Sequence, residues 1–166
     1  MNIAVDKDLS FMSIALAEAQ EAFAEDEVPV GAVLVDEHGE ALARNHNRVE
    51  QSKTQVAHAE LLTLMDAGKK QGDWRLERCW LYVTLEPCAM CFNAIILSRI
   101  EGVVYGAASP LFGYHLDKSG LVSLYNDSHL RVIGGVSSDE SSLLLRKFFR
   151  KKRGEKSGSK SGKPRP

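Results

Sequence analysis

The 166-residue chain predicts an α/β fold, with a mixed central sheet of about five strands and helices on both of its faces. Three observations predict it. Apolar residues recur at helical spacing in segments that begin near positions 9, 57, 88 and 137. Short runs rich in Val, Ile, Leu and Tyr lie between them, two of these joined by the turn Asp36-Glu37-His38-Gly39 as a hairpin. The resulting order, α-β-β-α-β-α-β-β-α, mixes a hairpin with strand–helix–strand units, as in a partly parallel sheet.

Each element has its own local reason. Leu9 to Phe23 carries Met12, Ile14, Ala15, Leu16, Ala19 and Phe23 at helical spacing. Val28 to Val35 and Ala41 to Asn45 are the two arms of the hairpin, and the polar stretch Asn47 to Gln55 reads as a loop. Ala57 to Ala67 predicts a helix that buries Leu61, Leu62, Leu64 and Met65. Cys79 to Thr84 is a strand broken by Glu86-Pro87, and Cys88 to Leu97 is a helix with Pro87 near its first turn. Gly102 to Tyr105 is a further strand. Residues 107 to 128 mix Gly, Ser, Pro, Asn and aromatics without a period and read as a long functional loop. Leu130 to Ile133 is a short strand. Ser137 to Arg150 is a terminal helix, with Ser138 as its cap and Leu143, Leu144 and Phe148 buried. Residues 1–153 are expected to form one domain. Residues 154–166, rich in Gly, Ser, Lys and Pro, are expected to form a disordered basic tail.

Composition narrows the function classes. Hydrophobic residues are 44% and charged residues 26%, as in an ordinary globular domain. No apolar run approaches the ~20 residues that would cross a bilayer, and Met1 to Ser10 has no apolar signal core. A cytoplasmic protein with no membrane partner is therefore expected. The three cysteines, two of them three positions apart, favour a metal site over a disulfide. The net charge of −1 hides an asymmetry, because residues 146–166 hold ten Lys or Arg against the single acid Glu155. A cationic end on an acidic body fits an anionic partner such as nucleic acid, and equally a solubilising tail.

The chemistry lies in His58-Ala59-Glu60 and Pro87-Cys88-Ala89-Met90-Cys91. His58, Cys88 and Cys91 offer one nitrogen and two thiolates to a zinc ion and leave its fourth position to water. Zinc lowers the pKa of such a water, and Glu60, two residues from His58, is placed to take its proton and pass it to a leaving amine. A structural zinc site would need a fourth protein ligand, for which His46, His115, His129 and Cys79 are candidates. Plain packing of these residues is the remaining alternative.

His-x-Glu followed by Pro-Cys-x-x-Cys is the signature of zinc-dependent nucleobase deaminases. With Glu27-Val28-Pro29-Val30-Gly31-Ala32-Val33, Asn47-Arg48 and Leu81-Tyr82-Val83-Thr84-Leu85-Glu86-Pro87-Cys88 around it, the chain resembles the bacterial tRNA adenosine deaminases. The resemblance runs from the first helix to Gly106 and resumes at Phe148-Phe149-Arg150. It implies the three-layer α/β/α cytidine deaminase-like fold. It also implies one zinc ion per chain, a homodimer, and conversion of the wobble adenosine of a tRNA anticodon to inosine. The zinc ligands would be His58, Cys88 and Cys91, with Glu60 as proton shuttle. Substrate contacts would come from Asn47, Val30, Ala59, Leu85, Phe148, Phe149 and Arg150, with Glu86 and Pro87 shaping the site. The chain departs from the family after Gly106, where Ala107-Ala108-Ser109-Pro110 leads into Leu111-Phe112-Gly113-Tyr114-His115 in place of Ala-Arg-Asp and Lys-Thr-Gly. There Phe112, Tyr114 and His115 either stack on splayed bases or pack the loop down. A deaminase of a free base or nucleoside, such as guanine or cytosine, is the alternative that this loop motivates. A non-enzymatic RNA-binding protein is disfavoured by the intact His58, Glu60, Cys88 and Cys91.

Overall fold

The computed structural model describes residues 3–116 and 130–159, with side chains over 6–116 and 130–155. The sheet has five strands in the order β2-β1-β3-β4-β5. These are β1 (Gly31–Val35), β2 (Ala41–His46), β3 (Trp80–Leu85), β4 (Gly102–Ala107) and β5 (Arg131–Gly134). β1 pairs antiparallel with both β2 and β3, whereas β3, β4 and β5 run parallel. The mixture follows from the connections. A tight turn can only reverse the chain, and the two parallel pairs are each joined by a long crossover.

Alternation along the strands sends side chains to two cores. Ala32, Leu34, Leu81, Val83 and Val103 face the helices α3 (Ala59–Gln71) and α4 (Ala89–Leu97), packing on Ala59, Leu64, Ala67, Phe92 and Ile95. Val33, Val35, Tyr82 and Val104 face α1 (Ile3–Ala24) and meet Met12 and Ala15. The terminal helix α5 (Ser138–Ser159) joins α1 on that second face, where Phe148 packs edge-on to Phe23 at 5.9 Å between centroids. The expected three-layer architecture is the one observed. Gly31 explains how closely α1 lies on β1: a Cβ there would stand 2.1 Å from the Ala15 carbonyl oxygen.

Several local expectations change. The loop after Asn47 contains one turn of helix, α2 (Val49–Ser52). Met65 is exposed, and the buried side of α3 is Ala59, Glu60, Thr63, Leu64 and Ala67, because the stripe facing the sheet begins at the helix start rather than at the leucines. Leu143 is exposed and Leu144 only half-buried; among the three apolar residues expected inside α5, Phe148 alone is buried. The helix opens at Ser138 itself, after Ser137 in a left-handed conformation (φ 54°). It also runs on through residues 154–159, the first part of the segment expected to be a disordered tail. Glu155 pairs there with Lys151 one turn back and with Lys152, which supports the last turns. The rest of that tail, residues 117–128 of the long loop, and His129 lie outside the described residues.

Candidate zinc centre and cleft

The parallel strands set the position of the site. β3 and β4 both end at the same edge of the sheet, and ligands of α/β folds collect beyond the carboxyl ends of parallel strands. The chain leaving β3 supplies Glu86, Pro87 and Cys88, and the chain leaving β4 supplies Ala108 to Phe112. His58 occupies the N-cap position of α3 and Cys88 that of α4, each in extended conformation with no side-chain cap bond of its own. Two helix N-termini thus meet, and their positive ends favour anionic ligand atoms between them.

Cys91 Sγ lies 3.3 Å and Cys88 Sγ 3.8 Å from His58 Nδ1, and the three ligand atoms all fall within 4.8 Å of one another. A tetrahedral zinc ion, with Zn–S of about 2.3 Å and Zn–N of about 2.0–2.1 Å, sets S···N edges of about 3.6 Å. The two measured edges bracket that value, so the donor set fits zinc. Among the described residues no fourth His, Cys, Asp or Glu joins the group. The candidates for a closed structural site that fall among the described residues are committed elsewhere. His46 lies between Glu18 (2.9 Å) and Glu25 (3.1 Å), His115 bonds Glu86, and Cys79 is buried in the core, where burial pushes its thiol up to about 11.

The charges divide unequally. A hydrogen bond from Cys91, aided by His58, holds Cys88 down at about 4 against its burial. Cys91 is pushed the other way by the same bond to Cys88, by burial and by Glu60. The neighbouring Cys88 in turn raises His58. Two adjacent thiolates are favourable together only with a cation between them. Glu60 is 4% exposed, and burial raises its carboxyl above the ordinary range, as proton transfer near neutral pH requires.

These groups lie along a cleft of about 690 Å³. Its floor is His58, Glu60 and Cys88, with Asn47, Val30 and Leu85 beside them. Asn47 Oδ1 accepts the Ala59 N–H at 2.9 Å and so caps α3 in place of His58. Of the residues expected to touch substrate, Asn47, Val30, Leu85 and Phe149 line the cleft. Two do not. Ala59 is fully buried and its N–H is committed to Asn47; Phe148 is buried between Phe23 and Phe149 on the opposite side of α5. Arg150 is exposed beyond the cleft wall.

The structure adds partners that motif reading did not supply. Both oxygens of the buried Glu27 accept backbone N–H groups of α2, from Glu50 (3.1 Å) and Gln51 (2.7 Å), holding the segment that carries Asn47. The buried Glu86 accepts the Ser109 N–H at 2.9 Å and bonds His115 Nδ1 at 2.5 Å, tying the loop after β4 to the turn before Cys88. Gly113 makes this tie feasible, since a Cβ there would stand 2.5 Å from the Glu86 carboxyl carbon. The question left open for the loop is thereby divided. Tyr114 stacks on Phe92 (3.8 Å, 4° between planes), His115 bonds Glu86 yet stays exposed, and Phe112 is exposed with no such partner among the described residues.

A zinc-binding triad open on one side, a buried acid beside it and a cleft above define a zinc-dependent deaminase. Residues 5–107 match the family profile of the cytidine and deoxycytidylate deaminase zinc-binding region, and the chain belongs to that family. Within it, the chain groups with the tRNA-specific adenosine deaminases. It is 43% identical to that of Bacillus subtilis (strain 168) over 155 residues, 93% of this chain and 96% of the relative. It is 42% identical to that of Aquifex aeolicus (strain VF5) over 149 residues, 86% of this chain and 94% of the relative. A solved structure from work on A-to-I editing by tRNA:A34 deaminases at the wobble position superposes with a TM-score of 0.74 at 39% identity, covering 82% of this chain and 99% of that one. The guanine deaminase of Nitrosomonas europaea has the same fold, with a TM-score of 0.75 at 27% identity over 84% of this chain and 83% of that one.

Proposed function

We infer that the protein hydrolytically deaminates the wobble adenosine of a tRNA anticodon to inosine, releasing ammonia. The observation that carries this reading is the open His58–Cys88–Cys91 triad beside buried Glu60, on the floor of a cleft walled by a basic helix. Zinc, when held by those three residues, supplies the Lewis acid that activates a water molecule. Glu60 takes one proton of the attacking water and delivers it to the ring nitrogen next to the amidine carbon. It then takes the second proton from the new hydroxyl and passes it to the leaving amine, so that ammonia departs as the C=O forms. Burial raises its carboxyl above the ordinary range, the direction that favours holding a proton between the two transfers. Asn47, its oxygen committed to α3, offers its amide N–H₂ to the base, and Val30 and Leu85 flank the base with apolar surface. Phe149 and Arg150 on α5 meet the RNA around the reacting nucleotide.

The free-base alternative is less favoured. The tRNA-specific relatives are 35–43% identical over 86–96% of this chain, whereas the solved guanine deaminases reach 27% over 84% of it or 37% over only 60%, and a small substrate has no use for a cationic helix. The deciding experiment is inosine mapping in total tRNA treated with the purified zinc protein. Inosine at the wobble position is expected. Turnover of free guanine, cytosine or cytidine with tRNA left unchanged would replace this reading.

A cytoplasmic homodimer belongs to the same proposal. Exposed Met65 and Met90, and a second cleft bordered by Trp74 and Leu97, provide apolar surface on the α3–α4 side for a second copy. Sedimentation at micromolar concentration is expected to give twice the chain mass. Among the described residues no helix is long and apolar enough to cross a membrane.

A further inference from the structure

The loop that leaves β4 is anchored on both sides of Leu111 and Phe112. Ser109 donates its N–H to Glu86, Gly113 donates to the Ser109 carbonyl (3.0 Å), and Tyr114 donates to the Pro87 carbonyl (2.9 Å). Cys88 and Gly113 form an isolated β-bridge, and the Tyr114 ring lies flat on Phe92. Between these anchors Leu111 and Phe112 are each 75% exposed, the most exposed large apolar side chains among the described residues. Both border the cleft, as does Phe149 (44% exposed) on α5. A loop held this firmly has no packing reason to leave a phenylalanine in water.

We propose that Phe112, backed by Leu111, is a stacking platform for an unpaired nucleobase that flanks the reacting nucleotide. The inference rests on the RNA deaminase reading above and assigns a substrate-positioning residue to it. The occupant follows from the surroundings. A base delivered to the cleft floor must leave its stack, which frees the π-face of its neighbour at the rim. On α5, Arg146, Lys147, Arg150 and Arg153 are exposed cations suited to the phosphates of such a strand, whereas Lys151 and Lys152 are committed to Asp26. Exposed aromatics together with a cationic element, here the helix that brings Phe149 to the same cleft, are how single strands are held without base-specific bonds.

The test uses the full zinc-loaded chain and a synthetic anticodon stem–loop with adenosine at the wobble position. Phe112→Ala is expected to weaken binding about 5- to 150-fold, the usual worth of one base–aromatic stack, and Phe112→Trp to restore it. The slope of log affinity against log salt should stay unchanged, because no phosphate contact is lost. With 2-aminopurine placed immediately 5′ or 3′ of the reacting nucleotide, one of the two probes should be quenched by the wild type and released by Phe112→Ala. Equal affinity of Phe112→Ala and wild type, or quenching of neither probe, overturns the platform. So does a shift of Phe112→Ala to a smaller species on sedimentation, which would give the side chain to a second copy of the chain. Failure of the wild type to form inosine in tRNA would remove the underlying function itself, an outcome separable from the others by that one measurement.

Discussion

The floor and the rim of the cleft are built in opposite ways. On the floor, His58, Glu60, Cys88 and Cys91 sit at the starts of α3 and α4, and their surroundings are consumed by internal bonds: Asn47 to Ala59, Glu27 to α2, Glu86 to Ser109 and His115. At the rim, Leu111, Phe112, Phe149 and Arg150 are exposed. The floor has one geometry because zinc and proton transfer tolerate only one. On the proposed function the rim would meet a partner that arrives with its own shape, and exposed side chains there would suit that task. On that reading chemistry belongs to the buried layer and choice of substrate to the exposed one.

Substitutions can break or sharpen this contrast. The largest effect is expected at the triad and Glu60. Cys91→Ser should lose zinc and all measurable turnover, read by metal analysis and inosine formation. Glu60→Gln should keep one zinc per chain and lower kcat by about 10²- to 10⁴-fold. The same variant carries a pH signature in the metal-free protein. The folded carboxyl lies above its unfolded value, so the wild type is favoured at pH below the unfolded pKa of about 4.3 and loses that stability as pH rises through the folded pKa. Glu60→Gln should therefore raise the melting temperature at pH 7, and the gain should vanish on acidification. Next comes Phe148→Ala, expected to cost about 3–5 kcal/mol of stability as a core deletion, with RNA affinity per folded molecule intact. A selective loss of RNA binding would move Phe148 back to the substrate. Asn47→Ala should cost about 1 kcal/mol through the lost cap on α3, measured by denaturant unfolding, and also lower activity. Asn47→Asp restores the acceptor but not the amide donor, so stability should recover while activity stays low. The smallest effect is expected at Arg150→Ala, which should reduce the salt slope of RNA binding by about one and leave zinc and folding untouched.

Much of this was legible in the residues. Helical spacing and the strand–turn–strand pattern located the principal elements. His-x-Glu with Pro-Cys-x-x-Cys located the triad, because short-range spacing already brings two ligands to one helix start. What stayed hidden depends on three-dimensional neighbours. Nothing local distinguishes Phe148 from Phe149, yet one turns to Phe23 and the other to the cleft. Glu27 looks like a surface acid until its backbone partners, 23 and 24 positions away, are known, and the resemblance that marked Glu86 did not show its bond to Ser109, 23 positions on. The continuation of α5 through Gly154 defied composition, since Gly and Ser lower helix propensity but the ion pairs of Glu155 support it. The split fate of Phe112 and Tyr114 followed from which ring could reach Phe92.

The small space at Gly113 has a consequence for how this scaffold can change. With its own Cβ excluded by Glu86, and with Tyr114 and Ser109 locked on either side, the segment behaves as a bracket with an interchangeable insert. Leu111 and Phe112 can be exchanged for other residues without disturbing the turn that leads to Cys88, whereas a methyl group at 113 would push straight into it. A library aimed at redirecting the enzyme to a new nucleotide context would vary the first pair freely and hold the glycine constant. Lineages diverging in substrate would be free to do the same.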